Sequence, residues 1–423
     1  MKKIYILGGG TFNHVRNHLS LATPAFGETA KSLKTKFDSS IVGAGLSNDF
    51  ETHLILTKMA DSSSGIVTNQ DVSLLIDKLI SDPDTRGIIF NIALADFEGS
   101  IGDVQSGKYA DRLQTKNGTM AMELTPSEKL IGKIRKQRKD IFVVGFKTTA
   151  NQTNDIQYTR GLELLKKNSL NLVLANDTVT RNNIIIAPEE TRYGETTNRD
   201  DVLNTLVTMT LSRIQNTFTR STVIPGDSIP WNGDLVPSNL RQVVDHCIQA
   251  GAYKPFLGKT AGHFATKVNN TSILTSIRKT NFNNLDEVGL VQIDSKNQNE
   301  VVAHGFKPSV GGQSQRIIFS EHPELDCIVH FHCPPTDHYT SNMLPVAQQW
   351  PNECGSHQCG KNTSDHLRSV DLGDGDSLKV VFLDSHGPNI VFDKTTNPEK
   401  IISFINQNFD LSAKTGGLVA QTH

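Results

Sequence analysis

Short apolar runs alternate with amphipathic segments through the first half of the sequence. The runs KIYIL, RGIIFNIAL, DIFVVGF and LNLVLAND predict buried strands. Between them, DIQYTRGLELLKKN predicts a helix, and DVSLLIDKLI places its apolar side chains on one helical face: Val72, Leu75, Ile76 and Leu79. This order predicts a doubly wound, Rossmann-like parallel sheet, in which ligands bind at the loops that follow the strands.

Two local signals predict where elements begin and end in this half. The glycines of GGGT, Gly8 to Gly10, predict a turn after the first strand, where backbone N–H groups could approach a phosphate. They lack the spacing of a dinucleotide fingerprint, so a plain strand-to-helix turn is an equal alternative. Farther on, Thr125, Pro126 and Glu128 predict a capping-box helix start.

The residue composition of the sequence changes near the middle of the chain. The stretch TRSTVIPGDSIPWNGDLVPS is rich in proline, glycine and serine and predicts a linker. A length of 423 residues also favours more than one domain. We therefore expect an α/β domain at 1–218, a linker at 219–236 and an α/β/α domain at 237–423.

Charge and cysteine content exclude some classes of partner. The formal net charge is −2, so no basic excess indicates nucleic acid or an anionic membrane.

The apolar start of the chain is too short for a signal peptide, and no stretch approaches the roughly 18 apolar residues of a membrane span. Five cysteines, an odd number, fit a reduced compartment, and we expect a cytoplasmic protein.

Three motifs follow predicted strands of the first half in a fixed order. They are NIALADF (91–97), VVGFKTTANQTND (143–155) and LNLVLANDTV (170–179). Together they resemble phosphopantothenoylcysteine synthetase, the CTP-dependent ligase of coenzyme A biosynthesis, over roughly residues 1–210. The resemblance implies that CTP binds with Mg²⁺ and that a carboxylate is activated. Its implied nucleotide-binding residues are Gly8, Gly9, Gly10, Thr11, Arg16, Asp96, Phe146, Asn176 and Asp177.

Lys108 best matches the lysine with which that family balances the charge of the triphosphate and of the acyl-cytidylate. The chemistry needs such a cation, because negative charge accumulates as a carboxylate attacks the α-phosphate. A merely solvated loop lysine is the alternative. The sequence departs from the family at Ser20, where an asparagine is usual. We therefore expect nucleotide binding with a changed acyl substrate.

The run CIVHFHCPP carries two histidines in the second half. His330 and His332 are one residue apart, so on a strand both imidazoles point to the same face. Two such side chains are a compact start for a metal site, although buried core histidines are an equal alternative on spacing alone. A third histidine, His386, precedes a glycine where the apolar strand VVFLDSHGPNIVF is interrupted.

The second half also resembles a known family, from about Leu240 to Phe409. GHFATKV (262–268), ILTS (273–276), the stretch 307–335 that ends in HFHCPP, and DSHGPNIVF (384–392) are similar to class II aldolases of the aldolase/adducin fold. The resemblance implies zinc or another divalent metal on His330, His332 and His386. It also implies a phosphorylated sugar whose carbonyl or enediolate oxygen the metal polarises. The implied substrate-binding residues are Gly262, His263, Thr275, Arg278, Lys279 and Ser309.

One functional group of that family is absent. Gly311 stands where an acidic residue usually serves as acid and base. Glu353, 21 residues after His332, is the candidate catalytic replacement, since related methylthioribulose-phosphate dehydratases place their acid nearby. A surface glutamate beside a turn is the alternative.

The two resemblances together predict a bifunctional metabolic enzyme that acts on phosphorylated or acidic small molecules. Aldolase, dehydratase or epimerase chemistry would belong to the second domain, and CTP-dependent ligation to the first. The alternative is an adducin-like metal-bearing scaffold with a nucleotide-sensing first half. Both families form oligomers, so a homo-oligomer, a dimer or tetramer, is expected.

Overall fold

A computed structural model describes residues 1–309 and 312–418. The chain forms two compact units. The first comprises Met1–Ile186 and Gly194–Ile214, and the second comprises Ala187–Tyr193 and Gln215–His423. The short segment 187–193 is therefore part of the second unit, although it lies in the first half of the sequence.

The first unit is built on a largely parallel sheet. The strands of this unit are β1 (Lys2–Gly10), β2 (Phe12–Arg16), β3 (Leu19–Ala22), β4 (Phe50–Leu56), β5 (Thr85–Ala93), β6 (Phe97–Ser100), β7 (Glu123–Pro126), β8 (Phe142–Thr149), β9 (Leu172–Asp177), β10 (Asn183–Ile186) and, from Gly194 on, β11 (Arg192–Thr196). Its helices are α1 (Glu28–Gly43), α2 (Asn69–Ser81), α3 (Ile131–Gln137), α4 (Asn154–Asn168) and α5 (Arg199–Arg213). The main sheet has the order β11-β10-β9-β8-β5-β1-β4, in which β4, β1, β5, β8 and β9 pair in parallel. The predicted α/β class is confirmed.

The glycines of GGGT lie inside strand β1, so the predicted turn was wrong. A Cβ atom on Gly8 would lie 2.4 Å from Cβ of Ala30, and one on Gly10 would lie 2.1 Å from the carbonyl oxygen of Thr23. Gly9 has a φ of +102°, which L-residues rarely adopt. The run therefore allows other parts of the chain to pack closely against the strand.

The predicted helix start at Thr125 was also wrong. Residues Glu123–Pro126 are extended and pair with Phe97–Ser100, as β7 with β6. Helix α3 begins only at Ile131, and no side chain caps its first turn. Pairing with a distant strand has overridden the local capping signal.

The second unit is built on a mostly antiparallel sheet. Its strands are β12 (Arg220–Ile224), β13 (His263–Lys267), β14 (Ser272–Ser276), β15 (Leu290–Asn297), β16 (Glu300–His304), β17 (Cys327–His330), β18 (Val346–Ala347), β19 (Arg368–Gly373), β20 (Asp376–Leu383) and β21 (Gly387–Phe392). Its helices are α6 (Ser238–Gln249), α7 (Leu285–Val288), α8 (Gly312–Glu321), α9 (Asp337–Ser341), α10 (His357–His366) and α11 (Pro398–Asn408). The strand order is β12-β16-β15-β14-β13-β17-β21-β20-β18, with β19 on β20.

The segment predicted as a linker is ordered structure of the second unit. Strand β12 pairs in parallel with β16, and Ile229 pairs with Leu290. Trp231 is 3% exposed and belongs to the apolar core, while its Nε1–H donates to Asp245 at 2.9 Å. Its proline and glycine content reflects an irregular path over the core rather than a free connection.

Among the residues that the structure describes, no helix combines the length and the apolar character needed to cross a bilayer.

Candidate metal centre

Strand β17 carries the histidine pair in the middle of the second unit. It lies between β13 and β21 and is buried along its length. Val329 belongs to the apolar cluster on one side of the sheet, and Ile328 belongs to the cluster on the other. By alternation, His330 and His332 share the side of Ile328.

The third histidine enters from the turn between β20 and β21. Ser385 has a φ of +60°, and the His386 N–H donates to the carbonyl oxygen of Leu383 at 2.9 Å. A Cβ atom on Gly387 would lie 2.0 Å from the carbonyl oxygen of Phe331, so this position tolerates only glycine. The glycine brings the turn against the end of β17, and His386 with it.

The three histidines converge through their Nε2 atoms. His386 Nε2 lies 3.1 Å from Nε2 of His330 and 3.1 Å from Nε2 of His332. One ligand atom from each of the three lies within 4.8 Å of the others, and the side chains are buried. Two nitrogen atoms on one tetrahedral zinc lie about 3.3 Å apart, since each Zn–N bond is about 2.0–2.1 Å long. The spacing therefore fits a first-row divalent metal.

Hydrogen bonding supports the same conclusion. His330 Nδ1 lies 2.7 Å from the carbonyl oxygen of Pro388, which can only accept, so Nδ1 carries the hydrogen and Nε2 offers its lone pair. A single N–H on His386 Nε2 cannot serve both neighbours at 3.1 Å. A cation between the three nitrogen atoms satisfies all of them, whereas a core of neutral imidazoles does not.

A fourth histidine packs on this cluster. His263 of β13 pairs with His330 of β17, and their ring centroids are 4.7 Å apart. The amide Nε2 of Gln315 donates to His263 Nδ1 at 2.7 Å, so the ring hydrogen of His263 is on Nε2. Burial, and then the neighbouring His332, lowers the pKa of His263 to about 3. Burial, with His263 and His332, also holds the pKa of His330 well below 6.5, in the form that binds metals.

A small pocket adjoins the cluster. Its lining includes His263, Ser314, His330, Cys354, His386 and Asn389. The Sγ atom of Cys354 lies 3.9 Å from Nε2 of His386. The pocket therefore places a hydroxyl, a thiol and an amide beside the position that a metal would take.

The other predicted substrate residues differ in their surroundings. Gly262 has a φ of +104°, and a Cβ atom there would lie 2.5 Å from the carbonyl oxygen of His330, so it permits close strand packing. The Thr275 hydroxyl is buried and donates to the carbonyl oxygen of Phe264 at 3.4 Å. Ser309 donates its N–H to Ser276 at 2.9 Å.

Arg278 and Lys279, by contrast, are exposed just beyond β14. Gly311, where the family's acidic residue is missing, lies outside the described residues.

In the first unit, predicted nucleotide-site residues gather at one edge of the sheet. Gly10 ends β1, Asp96 follows β5, Phe146 lies in the last half of β8, and Asn176 and Asp177 end β9. These four strands run parallel, so their carboxyl ends meet at the same edge. Asp96 is exposed there and accepts from Lys129 Nζ at 2.6 Å.

Asp177, another predicted residue of the first unit, is hydrogen-bonded by the loops around it. Asp177 accepts from the backbone N–H groups of Asn151, Gln152, Val179 and Thr180 at 2.9–3.0 Å, and from the Thr149 hydroxyl at 2.9 Å. Burial alone would raise the pKa of this carboxyl, but these donors hold it well below its ordinary value of 3.8. Asp177 thus organises two loops at the strand ends.

Three further predicted residues lie around this edge. The Thr11 hydroxyl donates to Asn69 at 2.6 Å, and the buried Arg16 donates to the carbonyl oxygens of Val15 and Ile101. Lys108 lies in an exposed loop, with its ammonium 5.5 Å from the ring centroid of Tyr109. Its surroundings are those of a solvated side chain.

Comparison with known families bears on the second unit. Residues 241–395 match the family model described as Class II Aldolase and Adducin N-terminal domain. Over these residues the second unit is an aldolase/adducin-like domain, called the aldolase/adducin domain below. The chain is a fusion in which a doubly wound α/β unit precedes this domain.

Comparison with solved structures adds three similar proteins. L-fuculose 1-phosphate aldolase is 15% identical, with a TM-score of 0.29, and the match covers 41% of this chain and 84% of that one. The DNA/pantothenate metabolism flavoprotein from Streptococcus pneumoniae is 18% identical, with a TM-score of 0.40, over 49% of this chain and 96% of that one. The C-terminal domain of the coenzyme A biosynthesis bifunctional protein CoaBC is 16% identical, with a TM-score of 0.35, over 49% and 91%. Comparison with curated proteins gave no match.

The predicted acid, Glu353, directly precedes Cys354, a residue that lines the pocket beside the three histidines. It is 8% exposed, and its N–H donates to the side chain of Asn216 at 2.6 Å. The next residue, Cys354, contacts His386, but Glu353 is not in the ligand group. Its burial differs from the surface glutamate of the alternative interpretation.

One residue of the centre escaped prediction. Glu190, from the segment 187–193, has its Oε2 atom 3.5 Å from Nδ1 of His332, and both side chains are 6% exposed. The only sequence signal is the pair Glu189-Glu190, which begins three residues after the end of an apolar run at Ile186. Nothing in the sequence around Glu190 indicates that it contacts His332, which lies 142 positions later.

Proposed function

We propose that the aldolase/adducin domain is a metal-dependent enzyme of lyase type. Zinc or another divalent ion would be held by His330, His332 and His386. Its substrate would be a phosphorylated or acidic small molecule, and the reaction an aldol cleavage, a dehydration or an epimerisation. The observation that carries this proposal is the convergence of three Nε2 atoms, with 3.1 Å between His386 and each of the other two.

Each neighbouring side chain has a defined contribution. The bound ion would supply polarisation of a carbonyl or enediolate oxygen. Pro388 fixes the ring of His330 so that Nε2 faces the centre. His263 lines the pocket as a neutral ring with its hydrogen on Nε2, and it can donate that hydrogen to a substrate oxygen. Glu353 would move the proton at the carbon beside the carbonyl.

The exposed cations just beyond β14 fit the charge of such a substrate. Arg278 offers a planar group that can bind a phosphate or a carboxylate in a bidentate manner, and Lys279 adds a second positive charge. We propose that they bind the anionic end of the substrate.

Metal analysis tests this proposal. Protein purified without an affinity tag would be measured by mass spectrometry as wild type, as His332→Ala and as His246→Ala. His246 bonds to Asn406, outside the cluster, and is the matched control. We expect about one metal ion per chain in the wild type and the control, and none in His332→Ala. A wild type without metal after zinc is supplied would make the histidines core residues.

The substitution at Gly311 supports a second candidate, a metal-bearing scaffold without catalysis. A screen of sugar phosphates for retro-aldol, dehydration and epimerisation products separates the two. Product formation that His332→Ala abolishes supports the enzyme. A metal-loaded protein that turns over none of them supports the scaffold.

For the first unit we propose CTP-dependent activation of a carboxylate. The support is the gathering of Gly10, Asp96, Phe146 and Asn176 at the carboxyl edge of parallel strands. Pyrophosphate release from CTP and Mg²⁺, measured with a panel of acids, tests it, with Asp96→Asn as the site variant. CTP binding without release would instead support a nucleotide sensor.

We also propose that the protein is a homo-oligomer, because both families that the sequence resembles form oligomers. Light scattering coupled to gel filtration measures the mass directly. A mass near 46.4 kDa, that of one chain, would contradict the proposal.

A further inference from the structure

Glu190 contacts the outer nitrogen atom of His332, on the side of the ring that faces away from the position a metal would take. We propose that Glu190 is a positioning residue, a carboxylate that fixes the ring of His332 so that its Nε2 atom faces the metal. The contact joins Glu190 Oε2 to His332 Nδ1 at 3.5 Å. This inference rests on the proposed metal site and extends it to a residue outside the stretch 241–395 that matches the aldolase/adducin family.

The two nitrogen atoms of His332 face different groups. Nε2 lies 3.1 Å from Nε2 of His386, at the point where the three ligands converge. Nδ1, on the other side of the ring, faces Glu190. A carboxylate on the outer nitrogen favours the tautomer with hydrogen on Nδ1 and leaves Nε2 free to bind. Glu190 therefore acts through His332 rather than as a metal ligand.

Glu190 and His332 are both buried, and burial determines how strongly their charges interact. Counted as whole residues, Glu190 and His332 are 5% and 4% exposed. A carboxylate is costly to bury unless a positive charge or a hydrogen-bond donor accompanies it. A divalent ion on the far side of the imidazole would supply positive charge through the ring and would strengthen the Nδ1–H donor. The buried carboxylate is thus expected to increase metal affinity.

The segment that carries Glu190 is fixed to the ligand-bearing loops. The Glu190 N–H donates to the carbonyl oxygen of Ala187 at 2.9 Å, and Glu190 has a φ of +68° in the resulting turn. The Thr191 hydroxyl donates to the carbonyl oxygen of Ser385, the residue before His386. Arg192 Nε donates to the carbonyl oxygen of Gly416 at 2.7 Å. The segment therefore contacts His332 directly, through Glu190, and is bonded to the residue before His386, through Thr191.

Zinc affinity of the full chain tests this inference. The variants are Glu190→Gln, which keeps an acceptor oxygen, and Glu190→Ala, which does not. The matched control is Glu189→Gln, because Glu189 is equally buried and accepts from the Tyr193 hydroxyl at 2.9 Å. The dissociation constant for zinc is measured by competition with a chromophoric chelator. The melting temperature of the metal-free protein is measured beside it.

We expect Glu190→Gln to raise the zinc dissociation constant about 10- to 100-fold, and Glu190→Ala at least as much. Glu189→Gln should leave it unchanged, and metal-free Glu190→Gln should melt no lower than metal-free Glu189→Gln. Wild-type affinity in both Glu190 variants overturns the inference and leaves the proposed metal site intact. Equal losses in Glu189→Gln and Glu190→Gln also overturn it. A wild type that binds no zinc contradicts the proposed function itself.

Discussion

His263 and His330 stand opposite one another on antiparallel strands, with their ring centroids 4.7 Å apart, yet only His330 belongs to the group of three converging histidines. Both rings are buried, and they differ in their hydrogen bonds. His330 uses Nδ1 to bond the carbonyl oxygen of Pro388, whereas His263 uses Nδ1 to accept from Gln315. Their substitution should therefore have different effects.

The first prediction compares His330→Phe with His263→Phe. Loss of His330 should abolish metal binding, because a ligand is removed. Loss of His263 should leave about one metal per chain and destabilise the protein by about 1–3 kcal/mol, since the buried Gln315 amide loses its acceptor. Metal content and urea unfolding of each variant check this. Metal loss in His263→Phe would show that the fourth histidine is a ligand.

A second prediction concerns the pH dependence of the metal-free protein. The folded-state pKa of His263 is about 3, and that of His330 is also well below 6.5. Below about pH 6.5 the unfolded chain binds protons at these rings and the folded chain does not. The free energy of unfolding should therefore fall with falling pH, by up to about 1.4 kcal/mol per pH unit for each ring. For His263 this continues down to its folded pKa of about 3.

Urea unfolding after chelator treatment, at several values between about pH 7.5 and 5, measures this slope. His263→Phe should make it shallower, because one of the two rings is removed. An equal slope in the wild type and the variant would show that other groups cause the dependence.

The third prediction concerns Glu353. Glu353→Gln should retain about one metal per chain, because Glu353 is outside the ligand group. It should lower kcat about 10²- to 10⁴-fold on whichever substrate the screen identifies, since the amide cannot move a proton. The control is Glu287→Gln, at an exposed position of helix α7. A kcat equal to that of the control would exclude Glu353 as the acid.

A fourth prediction tests the packing of strand β1. Gly8→Ala should destabilise the protein by about 1–3 kcal/mol, because the added Cβ overlaps the Ala30 side chain. Gly43→Ala, at the exposed end of helix α1, meets nothing within 4 Å and should be neutral or gain up to about 1 kcal/mol. Calorimetry of both variants gives the comparison. A neutral Gly8→Ala would mean that the helix can move away from the strand.

Short-range patterns in the sequence were sufficient for much of the architecture. The alternation in CIVHFHC leaves one orientation for a buried strand, so the shared face of His330 and His332 was predictable. The glycine after His386 was visible only as an interruption of an apolar strand, and the structure adds the neighbour, the carbonyl oxygen of Phe331, that leaves no room for a Cβ atom there. The parallel strands of the first unit were predictable for the same reason, because each one is a short apolar run bounded by polar loops.

Long-range contacts were not predictable in this way. The capping signal at Thr125 was outweighed by pairing with Phe97–Ser100, which no local pattern shows. The glycines of β1 indicated a permissive backbone without revealing that Ala30 and Thr23 would pack on them. Glu190 is the extreme case, because its relation to His332 exists only after the chain has folded.

The position of residues 187–193 limits how this chain can be divided or recombined. A gene fragment cut within 219–236 would encode all three histidines of the candidate metal centre and would lack Glu190. The seven-residue segment would remain with the other fragment, separated from the loops at Ser385 and Gly416 that it bonds. If the first unit were exchanged for that of another protein, residues 187–193 would have to be kept with the second unit for the candidate centre to stay complete. The two units of this protein therefore cannot be separated by a single cut in the sequence, because the second unit includes a segment that lies between two parts of the first.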